Sequence, residues 1–475
     1  RRAASASAES TMKVWYRCRL PPYRTVTWKR MSQSTNGRTP YLSSVMRLIY
    51  QLAVAALRAL SPVLTLGGGK VAKGMAGRRH ADVALAAWGN TLRDPERPTV
   101  WMHAPSVGEG LQARAVKDAL MRRRPDLQVV FTHFSPSAET LAANFGANAS
   151  AYLPWDLRGS VGRTLDGVQP DLLVFTKTEI WPVLVAEAKR RSIPVAIVGA
   201  TVPDGAGRTR LPAGLLLAVA RASLDAACAL SDDDARRLVA LGVATEVVHV
   251  TGDPGIDSAA HRLAEAGTDA PYLRPFLDSP RPTVVAGSTW PSDERVLLPA
   301  LRELRDRVDG LRIILAPHEP GVDEVAGLLR RLEADGWSAS TLGRVESGGA
   351  ASASTAVVVD RVGVLAHLYR VATASYGGGG FHDAGLHSVL EPAAAGSPVV
   401  FGPRHSNARA AADLLGVGGA KLAASAEDLT EILASWLLDA RQRDDTAGTG
   451  RRYIEGHLGA ADRTAEHLKP LLGPR

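Results

Sequence analysis

From residue 93 onward, short aliphatic runs alternate with longer stretches whose apolar residues recur every three or four positions. That is the pattern of buried parallel strands and the helices that cover them. Thr99–His103, Gln128–His133, Leu172–Phe175, Pro194–Val198, Ala226–Ala229 and Val247–Thr251 read as strands. Gly110–Arg123, Ser137–Phe145, Pro182–Arg191 and Asp232–Leu241 read as helices between them. A Gly-, Pro- and Asp-rich stretch, roughly Gly252 to Pro282, reads as a domain connection. The alternation then resumes with strands at Thr283–Ala286, Arg312–Ala316, Ala356–Val359, Ala372–Tyr376 and Val399–Phe401. Its helices are Asp293–Arg307, Val322–Ala334, Gly363–Arg370 and Ala426–Leu438. Two such runs in succession predict an α/β protein with two Rossmann-like, doubly wound domains facing a cleft. Residues 93–265 form the first and 266–450 the second, and 451–475 is expected to return as a helix to the first.

The beginning of the chain has a different pattern. Residues 1–44 are polar, basic and aperiodic, and read as disordered or as the product of a misplaced start, with Met31 or Met46 as the initiator. Residues 45–92 hold an apolar stretch, Val45 to Leu66, interrupted by Arg47 and Arg58, with Pro62 expected to bend a helix near its end. Its uninterrupted part is about half the length of a spanning helix. The spacing and flanking arginines fit a helix in, or dipping into, a membrane interface. An ordinary core helix is the alternative, and a cleaved signal peptide lacks an obvious small-residue cleavage site.

Charge sharpens this picture. The net charge is +8, and fifteen Lys or Arg residues fall before residue 80, against Glu9 alone among acids. A basic segment beside an apolar one suits anionic headgroups better than nucleic acid, which is not expected as a partner. Cys18 and Cys228 are too far apart in sequence for metal or redox spacing, which points to a reducing compartment.

Four segments carry candidate chemistry, each at a predicted strand end, where open α/β sheets bind ligands. In His103-Ala104-Pro105-Ser106-Val107-Gly108-Glu109-Gly110, Glu109 is placed to act as a general base. A first-turn Glu favoured by the helix dipole is the plain alternative. In Lys177-Thr178-Glu179-Ile180-Trp181-Pro182, Glu179 can bind an acceptor and Trp181 can offer an apolar face, or Trp181 simply packs where Pro182 starts a helix. In the second half, Gly287-Ser288-Thr289-Trp290-Pro291 and Pro317-His318-Glu319 place hydroxyls, amides and an imidazole on successive strand ends, as anion ligands or as helix caps. The most specific segment runs from Tyr376 through Gly377-Gly378-Gly379-Gly380 to His387-Ser388-Val389-Leu390-Glu391-Pro392. A glycine run after a strand is expected to leave amides free for a phosphate, with Glu391 one turn further placed for ribose hydroxyls. Asp232-Asp233-Asp234 follows Ser231 and reads as a helix cap rather than a metal site.

These segments, in order, resemble the 3-deoxy-D-manno-octulosonic acid (Kdo) transferases: His-Ala-x-Ser-x-Gly-Glu, Thr-Glu-x-Trp-Pro, Gly-Ser-Thr-Trp-Pro, Pro-His-Glu and Gly-x-His-x-x-Leu-Glu-Pro. The resemblance extends from about Met46 to the C-terminus and implies the GT-B fold. It implies an inverting glycosyltransferase moving Kdo from CMP-Kdo to a glucosamine hydroxyl of the lipid A precursor, at the cytoplasmic face of the inner membrane. By that resemblance Glu109 is the general base, with Ser106, Gly108, Glu179 and Trp181 on the acceptor side. Ser288, Thr289, His318, Gly377, Gly378, Gly379, Gly380, His387, Ser388 and Glu391 form the donor side. No cofactor and no metal are expected, because helix N-termini and a few donors can stabilise a nucleoside monophosphate leaving group. The sequence departs from the pattern at Lys177 and Val183 (usually Glu and Asn), Gly199 and Thr201 (Asn and Arg), Gly255 (a basic residue) and Ser388 (Asn). Rival readings are a GT-B relative using a UDP-sugar, a sugar-nucleotide epimerase, and a non-catalytic membrane or nucleic-acid binder.

Overall fold

The computed structural model describes residues 39–202, 213–265, 270–348 and 353–473. Most of the N-terminal stretch expected to be disordered or mis-started, including Cys18, lies outside them.

Among the described residues, fourteen parallel strands form two sheets of seven. The first contains β1 (Thr99–His103), β2 (Gln128–His133), β3 (Ala149–Tyr152), β4 (Leu172–Thr176), β5 (Val195–Ala200), β6 (Ala226–Ala229) and β7 (Val248–Val250). Its order is β3-β2-β1-β4-β5-β6-β7. The second contains β8 (Thr283–Thr289), β9 (Arg312–Pro317), β10 (Ala339–Thr341), β11 (Ala356–Val358), β12 (Ala374–Gly377), β13 (Val399–Phe401) and β14 (Ala420–Leu422). Its order is β10-β11-β9-β8-β12-β13-β14. The α/β architecture of two doubly wound sheets is the one expected. β1, β2 and β4 are buried along their whole length because helices cover both sheet faces. Separate apolar clusters occupy the two faces of the first sheet, one around Trp101, Leu173 and Ile197, the other around Met102, Val116 and Val174.

The connection expected between Gly252 and Pro282 is different in kind. It contains a helix, Pro254–Glu265, started by a proline in its first position. This helix packs against both the Val107–Arg123 helix and the short Leu390–Ala395 helix, and so stands between the two sheets. Its Asp257 accepts the Gly459 and Ala461 amides at 2.6 and 2.8 Å. From there the Ala460–Leu468 helix lays Ala461, Ala465 and Leu468 into the Met102–Val116 cluster of the first sheet.

At the other end, Thr39–Leu64 is one continuous helix across Arg47 and Arg58, with Pro62 inside its last turn. Leu48, Ile49, Leu52, Leu57, Leu60 and Val63 are exposed along it. By length and composition alone, Val45–Leu64 is sufficient to cross a membrane. Polar contacts tie it to the first half: Tyr50 Oη donates to Asp156 in the loop after β3, and Arg58 donates to Ser160 of the Arg158–Val168 helix, both at 3.0 Å.

Candidate active site

In a doubly wound sheet, the crevice opens where adjacent strands lead their connections to opposite sides. That point lies between β1 and β4 in the first sheet and between β8 and β12 in the second. The candidate segments follow these strands. Ser106, Gly108 and Glu109 come after β1, and Glu179 and Trp181 after β4. Ser288 and Thr289 end β8, His318 follows its neighbour β9, and Gly378 to Glu391 follow β12.

On the first sheet, Glu109 is half-buried in the opening turn of the Val107–Arg123 helix, where the Ser106 hydroxyl donates to its carboxylate. Gly108 faces open space, whereas a Cβ at Gly110 would lie 2.2 Å from Leu141 Cδ2. A side chain at Gly108 would meet no neighbour, whereas one at Gly110 would have to push Leu141 aside. Trp181 stacks on Phe134 with centroids 5.8 Å apart. Between them and Trp155 sits the buried guanidinium of Arg78, 4.7–5.3 Å from the three rings. It donates to the Leu153 and Pro154 carbonyls at 2.9 and 3.1 Å. Burial pushes Arg78 down to about 10, opposed by the charges of Asp156, Tyr50 and Glu179 around it. Asp156 accepts the Val183 and Leu184 amides at 3.1 and 2.8 Å and so caps the helix that follows Trp181. Burial raises its carboxyl to about 6, against the pull of those amides, Tyr50 and Arg78. The Thr178–Pro182 segment is thus set from beneath by Asp156 and from the side by Arg78, a residue of the N-terminal helices.

The second sheet's site is organised by Asp293, fully buried in the first turn of the Pro291–Arg307 helix. Its carboxylate accepts the Trp290 amide (2.9 Å), the Gly379 amide (2.8 Å), the Phe381 amide (3.2 Å) and the Tyr376 hydroxyl (2.9 Å). Gly378 donates to the Gly287 carbonyl at 2.8 Å. The expectation that the glycine run frees its amides for phosphate is therefore corrected: those of Gly378, Gly379 and Phe381 are taken up inside the protein. Among the described residues, the Gly380 and Ser388 amides make no hydrogen bond. Glycine is required here by close approach, since a Cβ at Gly378 would lie 2.2 Å from the Ser288 carbonyl oxygen, and Gly379 holds φ at 92°.

Beside this turn, Trp290 is sandwiched between His318 and His382 at 4.4 and 3.9 Å, and His318 lies 4.3 Å from His387. Burial lowers His318, and pushes His387 down to about 4, so both imidazoles are neutral near pH 7. Thr289 is buried, with its hydroxyl 3.3 Å from Glu294. Glu391, expected to face ribose hydroxyls, already has a partner inside the protein. It is buried and paired at 2.6 Å with Arg262 of the Pro254–Glu265 helix. Burial opposes its charge, but Arg262, Ser388 and its own amide together hold it below the usual carboxylate range.

The cap expected at Ser231 is present, its hydroxyl accepting the Asp234 amide at 3.1 Å. Asp234 does more: it also accepts from Thr201 and Val202, and Arg409 of the second half donates to Ser231 and Asp234 at 2.8 and 3.0 Å. Sequence reasoning missed the roles of Asp293, Arg262, Arg78 and His382. Asp293 carried a usable signal, an acidic residue three positions after Trp290, the residue that precedes the helix, as in a capping box. The other three depend on contacts distant in sequence, and no local pattern announces them.

Comparison with known proteins gives a consistent picture. Residues 80–258 match the family described as 3-Deoxy-D-manno-octulosonic-acid transferase (kdotransferase). The chain is 28% identical over 447 residues to the 3-deoxy-D-manno-octulosonic acid transferase of Bordetella pertussis, covering 90% of this chain and 100% of that one. It is 28% identical to the Haemophilus influenzae protein of the same name, covering 81% of this chain and 90% of the relative. Among solved structures, it resembles UDP-GlcNAc 2-epimerase from Neisseria meningitidis bound to UDP-GlcNAc, with a TM-score of 0.58. That likeness covers 78% of this chain and 100% of that one at 15% identity, and it speaks to the fold alone.

Proposed function

We propose that this chain, which belongs to the Kdo transferase family, moves Kdo from CMP-Kdo to a glucosamine hydroxyl of the lipid A precursor. The observation that carries this reading is positional: the segments of family resemblance all lie at strand ends on, or next to, the two switch points, where a crevice opens. In this reading Glu109 takes the proton of the acceptor hydroxyl as its oxygen attacks the anomeric carbon of Kdo. The bond from that carbon to the CMP phosphate breaks, and CMP leaves with the electron pair. The Gly380 and Ser388 amides and the Ser288 hydroxyl receive the phosphate's charge, and no divalent metal is required. The neutral imidazoles of His318 and His387 serve as uncharged hydrogen-bonding groups beside it.

The exposed aliphatic face of Thr39–Leu64, with Arg47 and Arg58 on the same helix, supports attachment to the cytoplasmic side of the inner membrane, where a lipid acceptor is met. Thermal melting with CMP and with UDP tests the donor assignment. A ligand at a hundred times its dissociation constant adds about 2.7 kcal/mol. CMP is expected to raise the melting temperature and UDP to leave it unchanged. Stabilisation by UDP alone contradicts the proposal and favours a UDP-sugar enzyme.

A further inference from the structure

Strands β2, β1 and β4 lie side by side in the first sheet, and the chain that follows them carries two aromatic rings into one place. Phe134 directly follows β2 and is 40% exposed, and Trp181 follows β4 and is half-buried. A lone exposed apolar side chain needs no explanation. Phe134 is not alone, because its ring stacks on Trp181 with centroids 5.8 Å apart and planes 26° apart.

The pair is held rigidly. The buried guanidinium of Arg78 lies over both rings, 4.8 and 5.3 Å from their centroids, and donates to the Leu153 and Pro154 carbonyls behind them. The amides of Phe134 and Ser135 both donate to the Pro105 carbonyl, at 3.3 and 2.8 Å. The next residue, Ser106, donates to Glu109, so the exposed ring and the candidate base are fixed to one turn. On its other side Phe134 meets the N-terminal helices. A Cβ at Gly74, in the Gly69–Arg78 helix, would lie 3.7 Å from the Phe134 carbonyl oxygen. Asp156, which caps the helix after Trp181, is where Tyr50 of the Thr39–Leu64 helix docks. The two rings thus join the attachment points of the exposed aliphatic helix to the turn that carries Glu109.

We propose that Phe134 and Trp181 form an apolar shelf on which an acyl chain of the lipid acceptor rests while its glucosamine hydroxyl meets Glu109. This rests on the transferase reading, in which the acceptor is a lipid. An acyl chain fits better than a sugar ring because the shelf continues toward the aliphatic face of the Thr39–Leu64 helix. The shelf's own cation, Arg78, is buried behind the rings and bonded to carbonyls. Rings already fixed in place lose little freedom when the chain settles, so the apolar area they cover counts toward binding.

The test is steady-state kinetics of the full chain, wild type against Phe134→Ala and Phe134→Leu. The substrates are CMP-Kdo, lipid A precursor and the same phosphorylated disaccharide stripped of its acyl chains. Phe134→Ala is expected to raise the KM for lipid A precursor about tenfold, with kcat and the CMP-Kdo KM within about twofold of wild type. Leucine is expected to recover most of the loss, because an acyl chain needs apolar area rather than an aromatic face. With the acyl-free acceptor, wild type and Phe134→Ala are expected to behave alike. Phe134→Gln, of similar length but polar, is held to the same criteria and serves if the alanine variant does not fold. A lipid KM within about twofold of wild type overturns the inference. So does an equal rise with the acyl-free acceptor, or a loss that leucine does not recover, either of which points to a sugar ring instead. If the wild type turns over no CMP-Kdo, the transferase reading fails on its own. The shelf is then judged by binding of lipid A precursor followed through tryptophan fluorescence, which must weaken about tenfold in Phe134→Ala.

Discussion

At the switch point of the second sheet a buried carboxylate organises the glycine turn from within the protein, whereas at that of the first the candidate groups have fewer internal partners. Asp293 gathers three amides and a hydroxyl, Arg262 neutralises Glu391, and Trp290 lies between two imidazoles. On the first sheet Glu109 is half-buried with one hydroxyl partner, while Lys177 has none among the described residues. What order the first site has beneath Trp181 comes partly from Arg78 and Tyr50, residues of the N-terminal helices. The contrast suggests a division of labour. In the proposed transfer, the preformed turn receives the nucleotide and the less internally paired first site receives the acceptor.

The comparison can be broken in several places. The largest effect is expected from Glu109→Gln, which should cut CMP release by about a hundredfold to ten-thousandfold with donor binding intact. Turnover like that of the wild type would remove Glu109 as the base. Asp293→Ala leaves buried donors unpaired and should cost about 3 kcal/mol or more in urea unfolding. A loss under about 1 kcal/mol would show that the glycine turn stands without it. Removing a cation should separate the two sites. Arg262→Met strands the buried Glu391 and should cost about 2 kcal/mol, allowing for the partial exposure of Arg262. Lys177→Met should change stability by no more than about 0.5 kcal/mol. Equal losses would erase the distinction.

Two smaller effects concern the first site's foundation. Asp156 is raised from 3.8 to about 6, so the folded protein binds its proton more tightly than the unfolded chain does. The resulting stability is complete below about pH 3.8 and is lost as pH rises through about 6. Wild type should therefore lose stability relative to Asp156→Asn between those values, and a difference that does not vary with pH would contradict the assignment. Tyr50→Phe, which removes one hydrogen bond to Asp156, should cost about 1 kcal/mol and loosen the N-terminal helix to proteolysis.

Most of the central framework could be read from the chain because fully buried parallel strands are short aliphatic runs. Thr99–His103, Gln128–His133, Ala226–Ala229 and Val399–Phe401 coincide with the observed strands. The strands that escaped notice, β3, β10 and β14, are all sheet edges, and their sequences Ala-Ser-Ala-Tyr, Ala-Ser-Thr and Ala-Lys-Leu carry no such run. The Pro254–Glu265 helix was hidden because the glycines and prolines that suggest a loop also mark a helix start. Site segments were legible as strand-end motifs, but not the state of their groups. Whether the amides of Gly379 and Phe381 are free depends on Asp293, 86 and 88 residues away in sequence. The pairing of Glu391 depends likewise on Arg262.

The central claim is transfer of Kdo to a lipid acceptor, and one measurement reaches it directly. Purified protein is incubated with CMP-Kdo and lipid A precursor, and the lipid is analysed by mass spectrometry beside a Glu109→Gln control. The account predicts a lipid heavier by one or more Kdo units with the wild type and unchanged lipid with the variant. An unmodified lipid in the wild-type reaction, with the protein folded and CMP bound, would contradict it.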